Sequence, residues 1–242
     1  MSRMSEAIAK LKLRLRGNAL IFRHVAAHRE HPLLKRRVVR PGDDAVIEGF
    51  PRSANTFASV AFEVSQPAEV KFGNHFHSPA QFVLAKKYGI PAMLVLREPV
   101  SACKSYLLHS PGLKAAEALE RYIAFHRPLL EIRDFLAVAP FEEITTDFGQ
   151  SILRMNRMFG CAFSAFDHTD ESARKVFATI QDRRNMRLAA GMVSDNPLAV
   201  TVPAEEKAMR SVEAGLLFEN PDLGTLKANA AALYLDLLRA AR

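Results

Sequence analysis

The chain has 242 residues, 49% of them hydrophobic and 24% charged, with a formal net charge of +7. That balance excludes a largely disordered chain, and the length suits one domain able to bury a core without disulfide or metal staples. The charge is concentrated: residues 1–40 carry eleven Lys or Arg and two Glu, a net +9, which leaves the remainder at −2 and argues against a body built to bind nucleic acid.

The basic arm, residues 1–42, comes first. Met4, Ala7, Ile8, Leu11 and Leu15 recur at helical spacing, with Lys10, Lys12 and Arg14 off that stripe and Gly17-Asn18 as a stop signal. Ala19-Leu20-Ile21-Phe22 is far too short to cross a bilayer, and Arg23 ends it. No secretory segment is visible. A second basic cluster, Lys35-Arg36-Arg37, precedes Arg40-Pro41-Gly42. Three readings stay open for the arm: an amphipathic helix packed on the domain, contact with an anionic membrane surface, or capture of an acidic partner.

From Asp43 to the end, residues 43–242 read as one α/β domain. Ala45 to Phe50 predicts a strand, Asn55 to Val64 a helix, Glu69 to Phe72 a short strand, and Pro79 to Tyr88 a helix closed by Gly89. Pro91 to Leu96 is a continuous apolar run, as expected of a strand buried on both faces. Val100 to Leu108 predicts a helix, and Leu113 to Leu136 a longer one interrupted near Pro128. Ala137 to Phe141 predicts another strand, followed by helices through Phe159. This order implies a central parallel sheet flanked by helices. The last third is mainly helical, over Arg174 to Ile180, Ala204 to Phe218 and Leu223 to Arg239, with Asp182 to Val202 expected as a loop.

Three segments could carry chemistry. Gly49-Phe50-Pro51-Arg52-Ser53-Ala54-Asn55-Thr56-Phe57 joins a strand to a helix, a geometry that offers backbone N–H groups to an anion. It approaches the phosphate loop G-x-x-x-x-G-K-[ST], but Ala54 replaces the second Gly, Asn55 replaces the Lys, and the cation moves to Arg52. Phosphate binding without metal-assisted nucleotide hydrolysis is therefore expected. The plainer reading is an ordinary joint with Ser53 or Asn55 as helix cap. Arg97, after the buried strand, and Ser105, eight residues on, suit a phosphate monoester; an Arg there can equally serve a structural ion pair. Asn74-His75-Phe76-His77-Ser78-Pro79 holds two His at i, i+2, with no third metal ligand in sight. Either His could be a general base or simply polar surface.

Together these segments resemble the sulfotransferases that use 3′-phosphoadenosine 5′-phosphosulfate (PAPS). Gly49 to Phe57 is similar to their 5′-phosphosulfate loop, and Arg97-x-Pro with Ser105 to their 3′-phosphate site. His77-Ser78-Pro79 is similar to the stretch bearing their catalytic base, and Phe141-Glu142-Glu143-Ile144 to their Tyr-Glu-Asp-Leu segment. The ordered matches span residues 45–160. The resemblance implies a P-loop-like fold and sulfuryl transfer from PAPS to a hydroxyl or amine, with no metal required. It implies Arg52 and His77 as catalytic residues, and Arg52, Ser53, Ala54, Asn55, Thr56, Phe57, Arg97 and Ser105 around the donor, with His75 as a second candidate base. The family's C-terminal Arg-Lys-Gly clamp has no counterpart, so Arg183, Arg184 and Arg187 enter as its nearest basic candidates. The acceptor is expected to be a small molecule, carbohydrate or lipid. An ATP-using, kinase-like phosphotransferase and a non-catalytic nucleotide-binding relative remain alternatives. Two isolated cysteines, Cys103 and Cys161, suit a reducing compartment, so the cytoplasm is expected, with residues 1–40 available for peripheral contact with the inner membrane surface.

Overall fold

The computed structural model describes residues 19–28, 30, 37–192 and 214–239. The expected helix over Met4 to Leu15 and most of Ala204 to Phe218 lie outside them. Helix α1 is Ala19–Ala27, followed by β1 Ala45–Gly49, α2 Asn55–Ser65, β2 Phe72–Gly73, α3 Ala80–Tyr88 and β3 Ala92–Leu96. Then come α4 Pro99–His109, α5 Ala115–His126, a 3₁₀ segment Arg127–Phe135, β4 Ala137–Pro140, α6 Phe141–Thr146 and α7 Phe148–Phe159. Helices α8, Asp170–Ala189, and α9, Gly224–Arg239, complete the described chain.

The four strands form one parallel sheet in the order β2-β1-β3-β4, as the alternation of strands and helices requires. Period-2 alternation sends Val46, Leu94, Leu96 and Val138 to one core with α3, α4, α5 and α9. It sends Ala45, Ile47, Met93, Val95, Ala137 and Ala139 to a second core with α2, α7 and α8. Both faces are covered, which is why β1 and β3 are buried along their whole length. The fold class is thus the expected one.

Two boundaries differ from expectation. The second strand is Phe72–Gly73 rather than Glu69 to Phe72, because its partners on β1 begin only at Ala45. Its outer edge is closed by an antiparallel bridge between Arg37 and Asn74. The stretch from Asp182 continues α8 as far as Ala189 instead of looping. Apolar periodicity fades there, but Arg183 pairs with Glu63 at 2.9 Å and Gln181 bonds Asn185 one turn on. Residues 193–202 of that expected loop are outside the described set. Near Pro128 the long helical stretch does break, from α5 into the 3₁₀ segment.

Part of the arm packs on the domain. Phe22 and Ala26 of α1 are buried, the Phe22 ring meets Phe76 edge-on at 5.4 Å, and Val38 and Val39 are buried beside β2. Among the described residues no helix is long and apolar enough to cross a membrane.

His126, at the end of α5, is fully buried against Tyr122, Phe50 and Phe125, and burial lowers its pKa from 6.5 to about 3. The unfolded chain takes up this proton below pH 6.5 and the fold refuses it, so stability is complete above that pH and falls as pH drops toward 3. His126→Leu should therefore lose about 2 kcal/mol less stability than the parent between pH 7 and pH 5, measured by urea unfolding. Parallel pH profiles would show that the proton goes elsewhere.

Candidate functional site

All four strands point their carboxyl ends to one edge, where open α/β sheets place their ligands. Gly49 closes β1 opposite Val95. A Cβ there would drive into the Val95 carbonyl oxygen and lie 2.8 Å from Asn55 Oδ1, so only glycine fits. The chain then turns through Phe50 to Ala54 into α2. Ala54, the N-cap position, provides no side-chain hydrogen bond. Asn55 instead donates Nδ2 back to the Phe50 carbonyl at 2.8 Å, bracing the loop from within. The capping role open to Ser53 or Asn55 is not what the structure shows. Ser53 Oγ, Asn55 Oδ1 and Arg97 Nε are buried with no hydrogen-bond partner.

Two cations meet over this loop. Arg97, just beyond β3, donates Nη1 to the Arg52 carbonyl at 2.8 Å and lies 4.0 Å over the Phe141 ring. Tyr122, buried on α5, donates its hydroxyl to the Arg97 carbonyl at 2.8 Å. Arg52 donates Nε to Ser105 Oγ at 3.2 Å. Neither arginine is in an ion pair among the described residues, so the ion-pair alternative for Arg97 does not hold there. Burial, and then Arg97 itself, lower the Arg52 pKa; burial lowers Arg97, offset in part by Glu142 and Glu98. Glu98 caps α4 by accepting from Val100 and Ser101 N–H.

The 75–77 loop, after β2, supplies the second half. His77 Nδ1 sits 2.8 Å from the Gly49 carbonyl oxygen. A carbonyl only accepts, so Nδ1 carries the proton and the neutral ring keeps its lone pair on Nε2. The His75 ring centroid is 6.3 Å from that of His77. Among the described residues the non-glycine residues with positive φ are Arg52, Ala54, His75 and His77, at 70°, 70°, 58° and 49°. All belong to these two loops, and each such position stores strain.

Sequence reasoning passed over Glu48. It is fully buried in β1 and accepts from Gly49, Phe76 and His77 N–H at 3.1, 2.7 and 3.0 Å. The signal was a lone carboxylate inside an apolar strand. Phe141, read only as part of a resembling segment, proves to be the ring beneath Arg97. Glu143 of the same segment holds Arg154 with 2.8 Å bonds on both nitrogens. Burial pushes the Glu143 carboxyl up, but hydrogen bonds from Arg154 and Ser151 outweigh it and leave the group below its ordinary value.

Arg183, Arg184 and Arg187 are not brought to the loop. Phe57, in the first turn of α2, meets Phe177 of α8, whereas Arg183 meets Glu63 two turns along α2. The two helices run in the same direction, so Arg184 and Arg187 lie farther still. Thr56 lies in the first turn of α2 and is half-buried, while Phe57 is buried beneath His168. Cys103 is buried on α4, and burial raises its thiol far above the thiolate range. No group of three metal-ligating side chains occurs among the described residues. At the amino end of the sheet, away from both loops, a pocket of about 440 Å³ is lined by Arg23, His24, His28, Arg40 and Tyr88.

No family model and no curated protein matches the sequence. Among solved structures, mouse sulfotransferase SULT7A1 complexed with PAP aligns over 79% of this chain and 89% of its own, at 15% identity and a TM-score of 0.40.

Ala54 carries a side chain at a φ of 70° where the resembling loop has Gly. Ala54→Gly should raise stability by about 0.5–1 kcal/mol in denaturant unfolding, because glycine adopts this conformation without steric cost. A loss would show that the loop holds no strain at Ala54.

Proposed function

We propose that this chain is a PAPS-dependent sulfotransferase acting on a hydroxyl or amine. The observation that carries the reading is the half-buried pair of guanidinium groups, Arg52 and Arg97, which meets a phosphate-type loop without an ion-pair partner among the described residues. Two like charges held this way call for a multivalent anion. The fit is supported by the buried, unpartnered Ser53 Oγ and Arg97 Nε, by the uncapped start of α2, and by the Ser105 hydroxyl. Asn55 bends back onto the Phe50 carbonyl and offers no cation for a terminal phosphate, which disfavours an ATP-using phosphotransferase.

In this reading Arg97 and Ser105 hold the 3′-phosphate, which an adenosine 5′-phosphate lacks. Arg52 and the N–H groups from Ser53 to Thr56 face the 5′-phosphosulfate, where negative charge grows on the bridging oxygen as the S–O bond breaks. His77 takes the acceptor's proton on Nε2 as the acceptor oxygen or nitrogen bonds to sulfur, and the phosphate leaves with the electron pair. Arg52 and Ser105 are already bonded to each other, so the two phosphate subsites are one continuous surface.

The basic arm supports a peripheral role. Arg23, with His24 and His28, lines the pocket at the amino end of the sheet, and belongs in sequence to the +9 segment. Such a surface favours an anionic membrane. Phosphatidylglycerol vesicles should sediment the full chain and phosphatidylcholine vesicles should not, with Arg23→Gln/His28→Gln weakening the capture. Equal sedimentation on both lipids excludes the electrostatic contact.

Adenosine 3′,5′-bisphosphate should raise the melting temperature well above the rise given by AMP, and Arg97→Ala should erase that difference. Equal shifts in the parent protein would remove the 3′-phosphate assignment. His77→Ala should cost about 10²–10⁴-fold in transfer rate while keeping the bisphosphate's thermal shift. An active His77→Ala enzyme would move the base to His75.

A further inference from the structure

Glu48 is used by no step above, yet it is the most constrained charge beside the loops. It is fully buried in β1, three residues before Pro51 and the phosphate-type turn. A buried carboxylate costs several kcal/mol unless hydrogen bonds and charge partners offset that penalty. Glu48 Oε2 accepts from the N–H groups of both Phe76 and His77, at 2.7 and 3.0 Å. Oε1 accepts from Gly49 N–H at 3.1 Å and stands 3.4 Å from His77 Nδ1. One carboxylate therefore bonds the backbone on both sides of the Gly49–His77 contact. The bond from His77 Nδ1 to the Gly49 carbonyl closes the same ring of interactions. His77 is thus held at two of its own atoms, its N–H and its Nδ1, and through the N–H of the preceding Phe76.

A purely structural carboxylate would need only the backbone contacts. The placement of Oε1 within ion-pairing reach of Nδ1 adds something different. When Nε2 accepts a proton, the ring becomes a cation whose Nδ1 lies 3.4 Å from a Glu48 carboxylate oxygen. The groups that take or carry charge beside the ring include Glu48 from β1 and, within the loop, His75 at a centroid distance of 6.3 Å. His75 cannot stabilise a second imidazolium; Glu48 can.

We propose that Glu48 is the positioning residue for His77: it anchors the backbone of the 75–77 loop so that the ring stays on the Gly49 carbonyl with Nε2 as the proton acceptor, and it balances the imidazolium formed when a proton arrives. This rests on the sulfotransferase reading only for the identity of the reaction, since the coupling between the two side chains stands on geometry alone.

The test has arms that separate the two ideas. In the ¹⁵N-labelled parent protein, His77 should show the Nδ1–H tautomer at neutral pH, and a dominant Nε2–H tautomer would overturn the proposal. In Glu48→Gln, an NMR titration of His77 should show proton affinity down about tenfold, the lower end of what an opposite charge at this range confers. An unchanged titration would overturn it too. If the parent turns over PAPS, Glu48→Gln should lower kcat, leave the KM for PAPS within twofold, and shift the acid limb of the pH–rate profile to lower pH; a raised KM with unchanged kcat would make Glu48 part of the donor pocket instead. A parent that binds and turns over no PAPS defeats the functional reading and leaves the two NMR arms to decide this one. Should Glu48→Gln fail to fold, the parent's own titration decides: His77 should hold its proton more tightly than a free imidazole, and an equal or weaker affinity would overturn the proposal.

Discussion

Two guanidinium groups share one half-buried patch at the carboxyl edge of the sheet, and among the described residues no carboxylate pairs with either. Arg97 is held by the Arg52 carbonyl and the Phe141 ring, and its own carbonyl by the Tyr122 hydroxyl. Arg52 is held by the Ser105 hydroxyl. Every one of these partners is neutral. A carboxylate in any of those places would settle the arginines more cheaply and would also occupy the position an anionic ligand needs. Burial, and then the neighbouring Arg97, lower the Arg52 pKa, and two apolar cores clamp the strands from both sides.

Backbone strain follows the same boundary. Strands and helices here adopt ordinary conformations, while the four non-glycine left-handed residues sit in the loops that end β1 and lead from β2. Left-handed Arg52 and Ala54 turn the chain sharply enough that Asn55 can reach back to the Phe50 carbonyl. Left-handed His75 and His77 bring two consecutive N–H groups onto one oxygen of Glu48. The strain is thus coupled to specific hydrogen bonds rather than scattered.

Much of this was legible in the amino acids. Runs such as Ala92-Met93-Leu94-Val95-Leu96 announce doubly buried strands, because no other structure satisfies so apolar a stretch between helices. Arg52, Arg97 and Ser105 stood out by residue type at strand and helix ends, and the structure joins them through two hydrogen bonds. What escaped depended on contacts distant in sequence. Asp182 to Ala189 has no apolar stripe, and the contacts that accompany its helix, Arg183 with Glu63 on α2 and Gln181 with Asn185, leave no apolar period to read. The same pair draws Arg183 away from the loop, which residue type alone could not foretell. Glu48 looked like one polar residue in a strand until its three N–H donors, up to 29 residues away, were seen.

The position of Glu48 raises the question of why its charge does not cancel the arginines nearby. Its side chain projects from β1 toward the 75–77 loop, and its oxygens are committed to three N–H groups and the edge of His77. It forms no ion pair with Arg52 or Arg97 among the described residues. Charge is therefore sorted by side: a cationic surface over the β1–α2 turn and an acid–base pair behind the 75–77 loop, joined by Gly49, whose carbonyl holds His77 and whose missing Cβ lets β1 and β3 meet. In the proposed function a single residue separates the proton acceptor from the surface facing the anionic donor, as group transfer between a nucleophile and such a donor requires. It also explains why the net charge of the molecule carries so little information: the +9 of residues 1–40 dominates the total, while the proposed chemistry depends on the placement of Arg52, Arg97, Glu48 and His77 rather than on their sum.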